Sequence, residues 1–202
     1  MTLPIRVFEP RYRQMLRDCL RDDRRFGVVL IKKGEEAGDP NVEPHVVGSV
    51  AEIKNIGSIR RGALPVTVTG ERRFRILEID RSRPYLTATV ELLGDGEDEE
   101  TTEGLLTVAR SACKRYMATL LASRGVWHTD IGPPPEGPLL AYFMGMLCQT
   151  APPRSLQALL EQESLESRLQ AGVALLEEHE KDLEPNIMRA GPGADESLFS
   201  SN

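Results

Sequence analysis

The spacing of apolar residues changes once along this chain, and the change divides it. A short apolar start, Leu3-Pro4-Ile5 with Val7 and Phe8, reads as a strand. Pro10 then suits the first turn of a helix, where its missing N–H costs nothing, and Glu9 sets a negative charge by the positive end of the helix dipole. Tyr12, Leu16, Cys19 and Leu20 share one face, Met15 flanks it, and arginines and aspartates lie opposite, which predicts a helix over 10–22. After it the period becomes that of strands. "FGVVLI" (26–31) is a continuous apolar run, and "HVVGSVAEIKNI" (45–56) is rich in β-branched residues. "LPVTVTG" (64–70) alternates apolar and polar, and "RFRILEI" (73–79) and "YLTATVELL" (85–93) complete the set. "KKGEEAGDPNVEP" (32–44), with two glycines and two prolines, reads as an exposed loop. Closely spaced antiparallel strands with one early helix predict a small barrel or curled sheet.

Beyond residue 104 the period is helical. Leu105, Ala109, Ala112, Tyr116 and Leu120 form one stripe, with Gly125 as its stop. "GPPPEGP" (132–138) breaks the pattern, and "LLAYFMGMLC" (139–148) is apolar nearly all round and so predicted buried. Pro152-Pro153 opens a helix carrying Leu156, Leu159 and Leu160, and Leu165, Leu169, Val173, Leu176 and Leu183 stripe another. The expected organisation is α+β: a barrel of antiparallel strands with one early helix over 1–94, an acidic linker over 95–103, a C-terminal helical bundle over 104–184, and a disordered tail over 185–202.

Charge sharpens the division. Residues 1–94 hold 17 Lys/Arg against 13 Asp/Glu, whereas 95–202 hold 8 against 18. Two units with different surfaces follow. The acidic run "DGEDEETTE" (95–103) lacks the ordered spacing of a metal site and reads as a solvated linker.

Candidate chemistry is sparse. Cys19, Cys113 and Cys148 are odd in number, lack CxxC spacing and fall at apolar helical positions, so they read as reduced core thiols rather than a disulfide framework or zinc cluster. With no signal peptide or membrane-span pattern, the cytoplasm is the expected compartment. His45, His128 and His179 lie in separate segments without metal-ligand spacing, and Trp127 reads as a cap on the helical part. No GxxxxGK[ST] occurs, and Ser111 and Lys114, three apart on a helix, read as surface residues rather than a catalytic pair. The expectation is a non-catalytic protein with no catalytic residues, no cofactor and no metal.

Two clusters remain as candidate binding residues. Glu9, Arg11 and Tyr12 have a structural reading, as a helix start, a charge partner and a packed ring, and a rival reading as direct substrate contacts. In "GERRFR" (70–75), strand alternation puts Phe74 and Ile76 inward and Arg73 and Arg75 on the other face, with Arg72 beside them. That basic stripe is either solvated or a surface for acidic peptides or phosphates.

Together "LPIRVFEPRYRQML", "DRRFGVVLI", "VGSVAEI", "VTGERRFRILE" and "PYLTATVELL" closely resemble the amino-terminal substrate-binding domain of Lon proteases, as a stand-alone member, and the helices after the acidic segment resemble the rest of that domain. The resemblance implies a pseudobarrel like the PUA fold followed by a helical bundle. It implies a non-catalytic, polypeptide-binding module in protein quality control or proteolysis, with unfolded or extended segments as ligands, a protease or chaperone as partner, and no membrane. PUA-like barrels also bind RNA, so RNA binding is the alternative. The arginine pairs 24–25, 60–61 and 72–73 favour it, while the pI near 5.2 and the scarcity of aromatics oppose it. In the family a further strand precedes the first motif. Its absence before Met1 is read as a missing first strand, which leaves a sheet edge open to peptides or to a homodimer.

Overall fold

The structure is a computed structural model, and it describes residues 2–34, 41–59, 61–95, 103–123 and 132–189. It divides into two units, residues 1–95 and 96–202. Mixed helices and antiparallel sheets make the fold α+β. Residues 96–102 of the acidic run, Arg60, Gly125, Trp127 and His128 lie outside the described residues.

The first unit contains β1 (Thr2–Val7), α1 (Pro10–Arg21), β2 (Arg25–Val28), β3 (Ile31–Lys33), β4 (Glu43–Pro44), β5 (Val47–Ile56), β6 (Leu64–Asp80) and β7 (Thr87–Leu92). The main sheet runs β1-β6-β5-β2, with β7 also paired to β6, and every ladder is antiparallel. Pro4 is tolerated because β1 is an edge strand, where a missing N–H breaks no ladder.

The strands predicted at 64–70 and 73–79 are one strand of 17 residues. Gly70, a break in the sequence pattern, is instead the start of a bulge: pairing passes from Ala51↔Gly70 to Ser49↔Arg73, so β6 carries one extra residue. A second bulge follows where Ile76↔Val90 gives way to Glu78↔Thr89. The bends let the first part of β6 pair with β1 and the last with β7. Conversely "FGVVLI" is not one strand. It leaves the main sheet after Val28, and Ile31–Lys33 pairs with β4 in a separate two-stranded sheet.

Helix α1 begins as expected at Pro10, with Glu9 in extended conformation at its N-cap. Leu16 is fully buried and packs with Val7, Ala51, Ile53, Val66 and Val68, and Tyr12 and Cys19 pack against that cluster. Leu20, assigned to the same face by spacing, is exposed, because the helix ends one residue later and the chain turns away. The turn is closed by Arg24, whose φ of 64° lies in the left-handed region that non-glycine residues seldom adopt. Its N–H donates to the Cys19 carbonyl at 2.8 Å and its carbonyl accepts from the Ile53 N–H at 2.8 Å, which hold it there.

The second unit consists of α2 (Glu103–Ser123), α3 (Gly137–Leu147), α4 (Pro153–Leu160) and α5 (Leu165–Arg189). Helix α5 packs on the other three, and it continues past residue 184, where the sequence pattern predicted a tail. Tyr116, Leu140, Met144, Cys148, Leu169 and Leu176 form the centre of one continuous core. Gly172 allows α3 and α5 to approach: a Cβ there would lie 2.5 Å from Met144 Cε. At the edge of the core Tyr116 Oη and His179 Nδ1 share a hydrogen bond of 2.6 Å, and Arg115 ties α2 to Glu177 and Glu180 of α5. Among the described residues no helix is long and apolar enough to cross a membrane.

Candidate functional site

The candidate residues do not form one site. Glu9, Arg11 and Tyr12 satisfy one another at the start of α1. Arg11 Nε donates to Glu9 Oε2 at 2.7 Å, and its guanidinium lies 4.6 Å from the centre of the Tyr12 ring. The Glu9 carboxylate therefore serves Arg11 and caps no backbone N–H.

The basic stripe of β6 is split three ways. Arg75 pairs loosely with Glu91 of β7 at 3.6 Å, and Arg72 is exposed at the bulge. Arg73 is a correction to the alternation argument: it does face away from Phe74, yet it is 1% exposed, not solvated. The segment after β7 folds over it, so Nε donates to Asp95 Oδ1 at 3.2 Å and Nη2 to the Gly94 carbonyl at 2.9 Å. A charge so buried requires such partners. Arg73 is a clasp that fastens the end of the first unit to β6.

A groove of about 1080 Å³ lies elsewhere in the first unit. Its floor is apolar. Phe74 and Ile76 of β6 lie opposite Leu92 and Val90 of β7, with Ile79 opposite Ala88 farther along, and all six line it. Phe26 and Gly27 of β2 form another wall. The Phe74 ring rests on two bare backbones: an added Cβ would lie 2.9 Å from Phe74 Cζ at Gly27 and 2.7 Å from it at Gly48. Val90 and Leu92 nevertheless remain 38% and 54% exposed.

The rim is polar and tied together. Tyr85 Oη donates to Asp18 Oδ2 at 2.7 Å and accepts from Arg83 Nη1 at 3.0 Å, joining the β6–β7 turn to α1. Donation to Asp18 raises the Tyr85 pKa, so the phenol stays neutral. Arg25 of β2 grips Glu71 with Nε at 2.6 Å and Nη2 at 3.3 Å, and this hydrogen bonding lowers the Glu71 pKa. Cys19 also lines the groove, but burial first, then the negative charges of Asp23 and Asp18, push its thiol pKa up. A protonated thiol among carboxylates is a poor nucleophile. Ser111 and Lys114 are exposed on α2, and among the described residues no group of His, Cys, Asp and Glu could hold a metal ion.

Sequence reasoning missed this groove because five separate segments line it. Two signals were present: the alternation Ala88, Val90, Leu92 and the acids Asp18, Asp22 and Asp23 closing α1.

The family model of the ATP-dependent protease La (LON) substrate-binding domain matches residues 1–178. The chain belongs to this family. Lon protease 2 of Myxococcus xanthus is 30% identical over 101 residues, 50% of this chain and 12% of that protein. Lon protease of Anaeromyxobacter dehalogenans is 29% identical over 93 residues, 46% of this chain and 11% of the relative. The matched stretch thus spans only about an eighth of these proteases. A Lon N-terminal domain protein from Xanthomonas campestris superposes with a TM-score of 0.59 at 25% identity, covering 86% of this chain and 89% of its own. The N-terminal domain of Mycobacterium avium complex Lon protease, at 19% identity, shares the fold with a TM-score of 0.62 over 89% of this chain and 91% of its own. The match is to the substrate-binding part of Lon, not to its protease domain.

Proposed function

We propose that this Lon substrate-binding domain is a non-catalytic module that binds unfolded or extended polypeptide segments in the groove of its first unit and serves substrate recognition in proteolysis and protein quality control. In this reading the first unit is a PUA-like pseudobarrel, the helices form a bundle behind an acidic linker, and a protease or chaperone receives the bound chain. One observation carries it. Among the described residues, ten of the twelve large hydrophobic side chains left exposed lie in the first unit, and Leu86, Val90 and Leu92 of these line the groove. Apolar side chains gathered at a concavity suit a ligand that brings its own. A flexible segment must be ordered on binding, so affinity on the order of micromolar or weaker is expected.

The test is fluorescence anisotropy with a labelled, reduced and alkylated model protein that cannot refold. Saturable binding to the domain, weakened by Val90→Arg, is expected; no binding by a folded domain defeats the proposal. RNA is the rival ligand. Its support was the paired arginines, but Arg25 is held by Glu71, Arg73 is buried on Asp95, and Arg24 Nε donates to the Ile53 carbonyl. Two of those charges are thus neutralised within the fold, while Arg61 and Arg72 remain exposed to any phosphate. Tight, strongly salt-dependent binding of a structured RNA, with no polypeptide binding, would reverse the order.

A further inference from the structure

We infer that the groove takes its polypeptide as an added β-strand along the outer edge of β7, and that it favours segments in which alternating apolar residues end in a basic one. This rests on the proposal that the domain binds polypeptide at all.

Backbone hydrogen bonding sets the ligand's conformation. Among the described residues β7 pairs only with β6, so its other edge presents every second N–H and C=O without a strand partner. That edge borders the groove, since Thr87, Ala88, Val90 and Leu92 of β7 all line it. A segment paired with β7 continues the pleat, and alternate side chains fall beside Ala88, Val90 and Leu92 on the apolar floor. Neither a helix nor a folded surface satisfies both the edge and the floor. A second copy pairing its own β7 here would satisfy the edge, but its groove-facing residues would belong to its own groove and leave this one unfilled.

Charge sets the end of the segment. The bond from Tyr85 to Asp18 brings the last turns of α1 to the start of β7. There Asp18 and Asp22 line the groove, and Asp80 accepts from Thr87 Oγ1 at 3.4 Å. At this corner Arg83 is set against them, bonded to Tyr85. Of the other cations on the lining, Arg25 pairs with Asp23 and Glu71, and Arg72 lies at the β6 bulge. The Asp22 carboxylate has no hydrogen-bond or ion-pair partner among the described residues. The negative end of the α1 dipole adds to this excess. An antiparallel added strand places its C-terminal end at that corner, where a lysine or arginine is complementary.

The experiment uses the whole chain and a fluorescein-labelled peptide of alternating valine and threonine, as long as the six residues of β7 and followed by two lysines. Anisotropy should show binding. N-methylation of alternate residues along one edge of the peptide should weaken it about tenfold, by removing the N–H donors, while methylation along the other edge should not. Replacing both lysines by glutamates should weaken it about threefold. Hydrogen exchange read by NMR should show new protection at amides within 87–92. If the unfolded model protein binds but both methylated peptides match the parent, strand addition is wrong and the polypeptide-binding proposal stands. Protection confined to the outer edges of β1 or β2 overturns the inference in the same way. A stable dimer that itself protects 87–92 assigns the edge to a second copy and also overturns it. If neither model protein nor peptide binds, both readings fall together.

Discussion

The two units solve burial in opposite ways. The helical unit encloses fifteen buried residues in a single core, and of its described large hydrophobics only Val108 and Leu139 remain exposed. The sheet unit builds a buried cluster of six around Leu16, Ile53, Val66 and Val68, and leaves ten such side chains in contact with solvent. A helix can turn one stripe inward and pack it on three neighbours. A strongly bent sheet with unpaired edges at β1, β2 and β7 cannot cover both of its faces with so few residues. Enclosed apolar core is therefore concentrated in one unit and exposed apolar surface in the other.

The contrast can be broken where each unit depends on one buried side chain. Arg73→Ala should have the largest effect, costing the sheet unit about 3–5 kcal/mol, because it strands the Asp95 carboxylate and the Gly94 carbonyl. Hydrogen exchange resolved by unit measures it, and a double change of Arg73→Leu with Asp95→Leu should recover much of the loss. In the helical unit Leu169→Ala should cost about 3 kcal/mol, since the site is fully enclosed and cannot collapse. Denaturation in urea should show that loss while polypeptide binding stays unchanged. Binding that falls with Leu169→Ala would mean the units do not divide the work as described.

Val90→Arg reverses the design. It should weaken polypeptide binding about tenfold while changing stability by less than about 0.5 kcal/mol, because the position is already partly solvated. The smallest effect is a pH dependence of the helical core. Burial raises the Cys113 thiol from 9.0 to about 12 and the Cys148 thiol to about 11. The unfolded chain loses these protons first, so the contribution is intact below pH 9 and declines as pH rises toward 12. Urea midpoints should fall over that window, and Cys113→Ala should flatten the fall. At neutral pH an alkylating reagent should reach half-buried Cys19 before either core thiol.

What the sequence made legible follows the range of the forces involved. Helix α1 could be read from Glu9 to Asp22 because Pro10 and a short apolar repeat are local signals. The α2, α3 and α4 positions were readable for the same reason. The continuity of β6 was not, since a bulge at Gly70 resembles a strand end until its partner β5 is known. Arg73 defeated strand alternation because its cover comes from Gly94 and Asp95, more than twenty residues on. The Glu9–Arg11–Tyr12 cluster was seen as a unit because its members are adjacent in sequence, and in the structure Arg11 pairs with Glu9 and lies by the Tyr12 ring. The groove could not be found from pattern alone, because its walls meet only after β2, β6, β7 and α1 have been placed.

The glycines beneath Phe74 bear on how such a domain could change its preferences. Gly48 admits no side chain, since a Cβ there would also lie 2.6 Å from the Val28 carbonyl oxygen. Gly27 is different: only the Phe74 ring stands in the way of a methyl group. An alanine at that one position would press on the ring alone, so the floor of the groove is open to change by a single carbon. Under the proposed polypeptide binding, Gly27→Ala changes the bulk of residue the groove accepts and leaves the Tyr85–Asp18 rim in place.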